Sequence, residues 1–173
     1  MSQILKSYSY SIKQNQAEKL SKLFENADRD QSGFVNYIDA ASIFNEFFAV
    51  SIETCRLLFR LFQQHQIDHE QLEQLLTFLL CCDQIFERCQ SDTISVIDVQ
   101  EALLELYLNL SQELIHKAIM KFCQADLVNK TEFFEICSVC LLARKLFSEW
   151  DNQDKGVIEV GLEQVIEIGM LFM

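Results

Sequence analysis

Asp28, Asp30, Ser32, Asn36 and Asp39 place oxygen-bearing side chains at positions 1, 3, 5, 9 and 12 of a twelve-residue stretch that runs from Asp28 to Asp39. That alternation suits a hard divalent cation. The first three side chains bind directly and the seventh residue, Phe34, offers its backbone carbonyl. Asn36 acts directly or through a water, and a carboxylate at position 12 closes the cage. Gly33 stands at position 6, where the backbone must turn sharply. Asp39 departs from the pattern, because a bidentate glutamate usually fills the last position. One methylene shorter, it reaches the ion with one oxygen, which leans the loop towards magnesium or weak calcium binding.

No second chemistry competes with this one. Cys137 and Cys140 have the spacing of a redox or zinc motif, but they lie among Ile136, Val139, Leu141 and Leu142 in a helical pattern. Core packing is the better reading, and Cys81-Cys82 is read likewise. His65 and His69 could share a helix face, yet no third ligand can be assigned and a solvated turn is expected there. The sequence has no nucleophile-and-base constellation and no glycine-rich phosphate loop, so an enzyme is not expected.

Such a loop needs a helix on each side, the arrangement known as an EF-hand. Leu20, Leu23 and Phe24 precede the loop at helical spacing; Ile38, Ala41, Ile43, Phe44 and Phe47 follow it. The same frame recurs along the chain. Phe24 and Val35, Phe86 and Ile97, and Phe147 and Ile158 are pairs of equal spacing, with shorter units between them at Phe62 to Ile67 and Phe122 to Val128. Long helices over roughly His69 to Cys89 and Thr131 to Trp150 are predicted to join neighbouring units. The expected fold is therefore all-α: five EF-hand helix-loop-helix units, two pairs plus an unpaired fifth, with short β-bridges between paired loops. A short polar tail is expected over residues 1–16 and one domain over 17–173. Its hands fall at about 17–48, 52–80, 79–108, 111–142 and 140–173.

The other loops read as metal-free. The third, taken as Gln90 to Glu101, has Ile94 at position 5 and Ser95 in place of the glycine, which leaves Asp92, Asp98 and Glu101 as a poor cage. The fifth keeps Asp151 and Gly156, but Lys155 sits at a ligand position and Leu162 replaces the final carboxylate. A lysine supplies no acceptor. The second and fourth loops are too short to carry the early ligands.

Composition agrees with this architecture. The 173 residues contain no proline and four glycines, where about eight prolines would be usual. A chain with so few helix breakers favours helices joined by short loops. The net charge of −12 argues against nucleic acid and anionic membranes. It suits a cation or a basic partner segment. No signal peptide or transmembrane span is expected, and the seven cysteines read as reduced thiols. The expected location is the cytoplasm, free or attached to the cytoskeleton.

From about Ala17 to Met173 the chain resembles the penta-EF-hand family, the group of the calpain small subunit, sorcin and grancalcin. The most specific parts are DRDQSGFV at the first loop and the run FFEICSVCLLARKLFSEWDNQDKGVIEV, a long helix entering a fifth loop. The third loop departs from the family in its lost ligands. The resemblance implies a homodimer or a heterodimer with another family member, formed through the fifth hand. Val157 and Ile158 would pair across that interface, and Val165, Ile168, Leu171 and Phe172 would pack in it. A strand without an internal partner exposes an edge, which fits such pairing. Three functions follow as alternatives: a calcium-binding regulatory adaptor, with magnesium as the other ion that could fill the site; a constitutive structural subunit of a larger assembly; or the small subunit of a calpain-like protease.

Overall fold

A buried branched residue followed by a helix-capping one recurs four times: Val35-Asn36, Ile67-Asp68, Ile94-Ser95 and Val128-Asn129. The first residue of each pair lies in a two- or three-residue strand, and the second starts the next helix with its side-chain oxygen. Such an oxygen satisfies backbone N–H groups that the first turn of a helix leaves unpaired. The computed structural model describes Leu5, Tyr8, residues 12–108, 112–122 and 127–151, and Gly161, Val165 and Gly169.

Over these residues the order is α1 (Gln14–Ala27), β1 (Val35–Asn36), α2 (Tyr37–Phe44) and α3 (Ile52–Phe59). A 3-10 turn over Arg60–Phe62 leads to β2 (Gln66–Ile67) and α4 (His69–Arg88). Then come β3 (Thr93–Ser95), α5 (Val96–Glu105), α6 (Gln112–Phe122), β4 (Leu127–Asn129) and α7 (Lys130–Trp150). β1 pairs antiparallel with β2, Val35 opposite Ile67, and β3 with β4, Ile94 opposite Val128. Two pairs of hands result, joined because α4 closes the second hand and opens the third. The two long helices fall where the apolar periodicity predicts them.

The third hand is built differently from the expectation. Ile94, not Ile97, is the strand residue: Ile94 is 2% exposed and Ile97, inside α5, is 64% exposed. Eight positions separate Phe86 from Ile94, against eleven from Phe24 to Val35. The third loop is thus truncated as well, and Glu101 is exposed within α5, about one turn beyond Asp98. The physical reason is the cap. The Ser95 hydroxyl accepts from the Asp98 N–H at 3.3 Å while the Asp98 carboxylate accepts from the Ser95 N–H at 2.8 Å, a reciprocal capping box that fixes where α5 begins.

A single apolar core runs through both pairs of hands. α1 packs on α2 and α4, α2 on α3, and α7 on α3, α4 and α6. α7 reaches back to the first pair, where Phe134 meets the ring of Phe48 edge-on with centroids 5.3 Å apart. Phe133, next to it, packs on Phe86 at 5.6 Å. Two residues from the stretch expected to be a polar tail join this core, Leu5 at 2% and Tyr8 at 9% exposure. Cys55, Cys82, Cys137 and Cys140 are buried as packing residues. His69 is half-buried with its ring against Phe24, 5.3 Å between centroids, so it is not part of a solvated turn; His65 is exposed. No helix among the described residues is long and apolar enough to cross a membrane.

Candidate metal centre

The first loop leaves α1 at Asp28, whose N–H still donates to the Phe24 carbonyl at 2.9 Å. Its carboxylate then organises the turn. One oxygen accepts from the Ser32 N–H at 2.9 Å and the Ser32 hydroxyl at 3.2 Å, and the other accepts from the Gly33 N–H at 2.8 Å. Asp30 accepts a further bond from the Ser32 N–H at 3.2 Å. Gly33 has φ +81° with open space where a Cβ would stand, so the demand for glycine is one of backbone conformation and not of room. Gln31 also takes a positive φ, 54°.

The electrostatics favour ionised ligands. Asp30 is held below the usual carboxylate value, chiefly by hydrogen bonds from the Ser32 hydroxyl and backbone. Asn36 is differently occupied. Its side-chain oxygen caps α2, accepting from the N–H groups of Ile38 at 2.8 Å and Asp39 at 3.1 Å. Of the two roles open to Asn36, contact through a water is the one compatible with that cap. The structure therefore gathers Asp28, Asp30 and Ser32 at one point, and Phe34 immediately precedes β1.

Asp39 lies in the first turn of α2. It lines a cleft of about 200 Å³ between α1 and α2, together with Ala27, Arg29, Ser42 and Glu46. Among the described residues no three His, Cys, Asp or Glu side chains converge as a ready-made metal cage. In chemical type the first-loop donors still fit a hard cation: carboxylates, a hydroxyl and a backbone carbonyl are the ligands calcium and magnesium take.

The equivalent of Asp39 in the other hands is engaged elsewhere. Gln71, Asp98 and Glu132 are the third residues of α4, α5 and α7, and each accepts from the backbone N–H of its own helix cap, at 3.0, 2.8 and 2.9 Å. Their last-position oxygens are thus committed to capping boxes. α2 has the cap from Asn36 but no return bond from Asp39. Sequence inspection missed this distinction. The spacing of a capping residue and an acceptor three positions later was the available signal.

Beside the third loop the positive charge comes from the protein. The Lys130 ammonium lies 3.0 Å from Asp83, closer still to Glu87, and 5.6 Å from the centre of the Phe86 ring. Burial pulls its pKa down, but the hydrogen bonds to Glu87 and Asp83 outweigh that and raise it. Phe86, Glu87, Gln90, Ser91, Asp92 and Lys130 line an open cleft of about 450 Å³ there.

At the other end, Val157, Ile158, Ile168, Leu171 and Phe172, together with Lys155, Gly156 and Leu162, lie outside the described residues. Val165 is described and half-exposed, its N–H donating to the Gly161 carbonyl at 3.1 Å.

No family model matches the chain. Mouse peflin is 23% identical over 154 residues, covering 83% of this chain and 56% of peflin. Human peflin is 22% identical over the same length, covering 83% and 54%. A probable calcium-binding protein of Arabidopsis thaliana, CML49, is 30% identical over 144 residues, 78% of this chain and 42% of that protein. The chain thus spans about half the length of these curated relatives. Among solved structures, a homologue of programmed cell death 6 protein from Leishmania major superposes with a TM-score of 0.60 at 16% identity, over 89% of this chain and 90% of that one. That likeness fixes the fold.

Proposed function

As a divergent member of the penta-EF-hand family with mostly degenerate loops, this chain is, we propose, a non-catalytic adaptor that binds calcium or magnesium at its first loop and acts by protein–protein interaction. Asp28, Asp30 and Ser32 would hold the ion with the Phe34 carbonyl, Asn36 through a water, and Asp39. Bound there, the cation would neutralise the carboxylates at the end of α1 and tie α1 to α2. The observation that carries this reading is the contrast at the last loop position. Asp39 alone among its described counterparts is not committed to a capping box. The relative CML49, named as a probable calcium-binding protein, supports the choice of ion.

Calorimetry with calcium and with magnesium tests it. Each titration should release or absorb heat that Asp28→Ala abolishes. No heat with either ion would refute the site. Dimerisation through the fifth hand is part of the proposal: sedimentation should give about twice the 20.2 kDa chain mass, and deletion from Gly161 onward should return a monomer.

One observation favours a second reading, a constitutive structural subunit. Three hands have turned their last ligand position into a helix cap, and Lys130 supplies a fixed positive charge beside the third loop. Equal partner affinity in calcium and in chelator would decide for that reading.

A further inference from the structure

The two helices of the third hand, α4 and α5, end differently. The last carbonyls of a helix need donors from outside it. At the end of α5 two side chains provide them. The Tyr8 hydroxyl donates to the Leu106 carbonyl at 2.9 Å, its ring edge-on to Phe78 with centroids 5.1 Å apart. Arg144 donates to the Tyr107 carbonyl at 2.6 Å. At the end of α4 the chain serves itself. The N–H groups of Cys89 and Gln90 donate to the carbonyls of Phe86 and Glu87 at 3.0 and 3.1 Å, and Gln90 turns away with φ 51°. Among the described residues no arginine, lysine or tyrosine caps this end, where the helix dipole adds negative potential.

The open cleft of about 450 Å³ lies at this place. Glu87, Gln90, Ser91 and Asp92 line it with oxygen acceptors, and Lys130 is the cation on its wall. That ammonium is already engaged by Asp83 and Glu87. Arg88 is engaged as well, 2.6 Å from Glu105. Asp92 forms no ion pair among the described residues, and Glu87 is 62% exposed. The Cys89 thiol registers the same surplus of negative charge. Burial first, then Asp98, Glu101 and Glu105, push its pKa up against the pull of Arg88.

We propose that the cleft beside the third loop is a docking site for an arginine side chain on a partner segment. The choice of residue follows from what the cleft already holds. Lys130 fills the compact position between two carboxylates that suits an ammonium. What remains is a broad rim of Gln90, Ser91, Asp92 and Glu87. A guanidinium offers five donors in a planar fork and is more weakly hydrated than an ammonium, so it matches that rim better. The net charge of −12 draws a basic segment towards the chain. A loop too short for a metal thus takes an organic cation instead. The proposal rests on the adaptor reading for the existence of a partner and is independent of metal at the first loop.

The test is fluorescence anisotropy on the full chain, in chelator, with a labelled peptide of alternating glycine and arginine. A glycine–lysine peptide of equal length should bind about threefold more weakly. Glu87→Gln/Asp92→Asn should weaken arginine-peptide binding about tenfold, the combined loss of two exposed ion pairs. Glu70→Gln/Glu73→Gln makes the same charge change about 20–25 Å away along α4, beyond the screening length, and should cost less than about twofold. Lys130→Met removes the competing ammonium and should tighten binding about threefold. Circular dichroism checks that each variant keeps the fold. Equal losses for the two double variants would mean diffuse attraction and overturn the proposal. So would equal binding of the two peptides, weaker binding to Lys130→Met, or no binding at low salt. Metal heat at the first loop without peptide binding sinks this proposal alone. Peptide binding without metal heat leaves it standing and sinks the metal half of the adaptor reading.

Discussion

Replacing Ile94 or Ile97 by alanine separates two descriptions of the third hand that predict opposite costs. Ile94 is 2% exposed, lies in β3 and faces Val128, itself fully buried. Truncating such a residue removes its transfer free energy and leaves a cavity, together about 2–5 kcal/mol. The site is small and hemmed in by two strands, so little relaxation is available and about 3 kcal/mol is a fair centre. Ile97 is 64% exposed near the start of α5. Its replacement should fall within about 0.5 kcal/mol of zero, because alanine is also the better helix former. Equilibrium unfolding in urea followed by circular dichroism reads both values. With a denaturant slope near ~2 kcal/mol per molar, Ile94→Ala should lower the midpoint by about 1.5 M and Ile97→Ala should leave it almost unchanged. A larger loss at Ile97 than at Ile94 would show that the loop is full-length and that the capping-box account of its truncation is wrong.

Three further outcomes are expected. Lys130→Met should cost about 1 kcal/mol, because Asp83 and Glu87, one turn apart, are left to repel each other; adding Asp83→Asn should recover part of the loss in a double-mutant cycle. Asp98 has its pKa lowered by hydrogen bonds from the Ser95 hydroxyl and backbone, so its contribution is present above the unfolded carboxylate value near ~4 and fades as pH falls. Asp98→Asn should therefore destabilise by about 0.5 kcal/mol at pH 7 and by less at pH 3, measured by thermal melts at the two pH values. Burial pushes the thiols of Cys55 and Cys140 up to about 12 and that of Cys81 up to about 11. Among the described cysteines, maleimide at pH 7.5 should mark exposed Cys89 first, and mass spectrometry should find Cys55, Cys81 and Cys140 labelled only after unfolding.

The helical frame is legible in the sequence because apolar residues at helical spacing leave little freedom. The two long helices follow from the pattern alone, since no proline interrupts it. The pairing of loops is legible for Val35 with Ile67, because Asp28 and Gly33 fix the frame of the first loop and place Val35, not Ile38, at the strand position. At the third loop two isoleucines, Ile94 and Ile97, compete. Apolar spacing cannot choose between them, and the choice falls to Ser95 and Asp98, polar residues whose local bonds decide where α5 starts. The first-loop ligands are readable as types and positions. That Asp39 faces the cleft between α1 and α2 is not readable, because a side chain's direction depends on packing between helices. Leu5 and Tyr8 are hidden for a plainer reason: their partners lie on α4 and at the end of α5, and two apolar residues among serines carry no periodicity of their own.

The bond from Tyr8 to Leu106 also sets an order of events during synthesis. The acceptor is made 98 residues after the donor. At typical elongation rates of ~5–20 residues per second, the segment around Tyr8 waits about 5–20 s before its acceptor exists. Throughout that interval Leu5 and Tyr8 have no site within their own chain, whatever the metal content of the cell. A partner that binds the nascent segment, or an enzyme that modifies the Tyr8 hydroxyl, meets it unprotected then. Once α5 is complete, the same residue is sealed beneath Phe78 and Leu106. The fate of the Tyr8 hydroxyl would thus be decided while the protein is still being made.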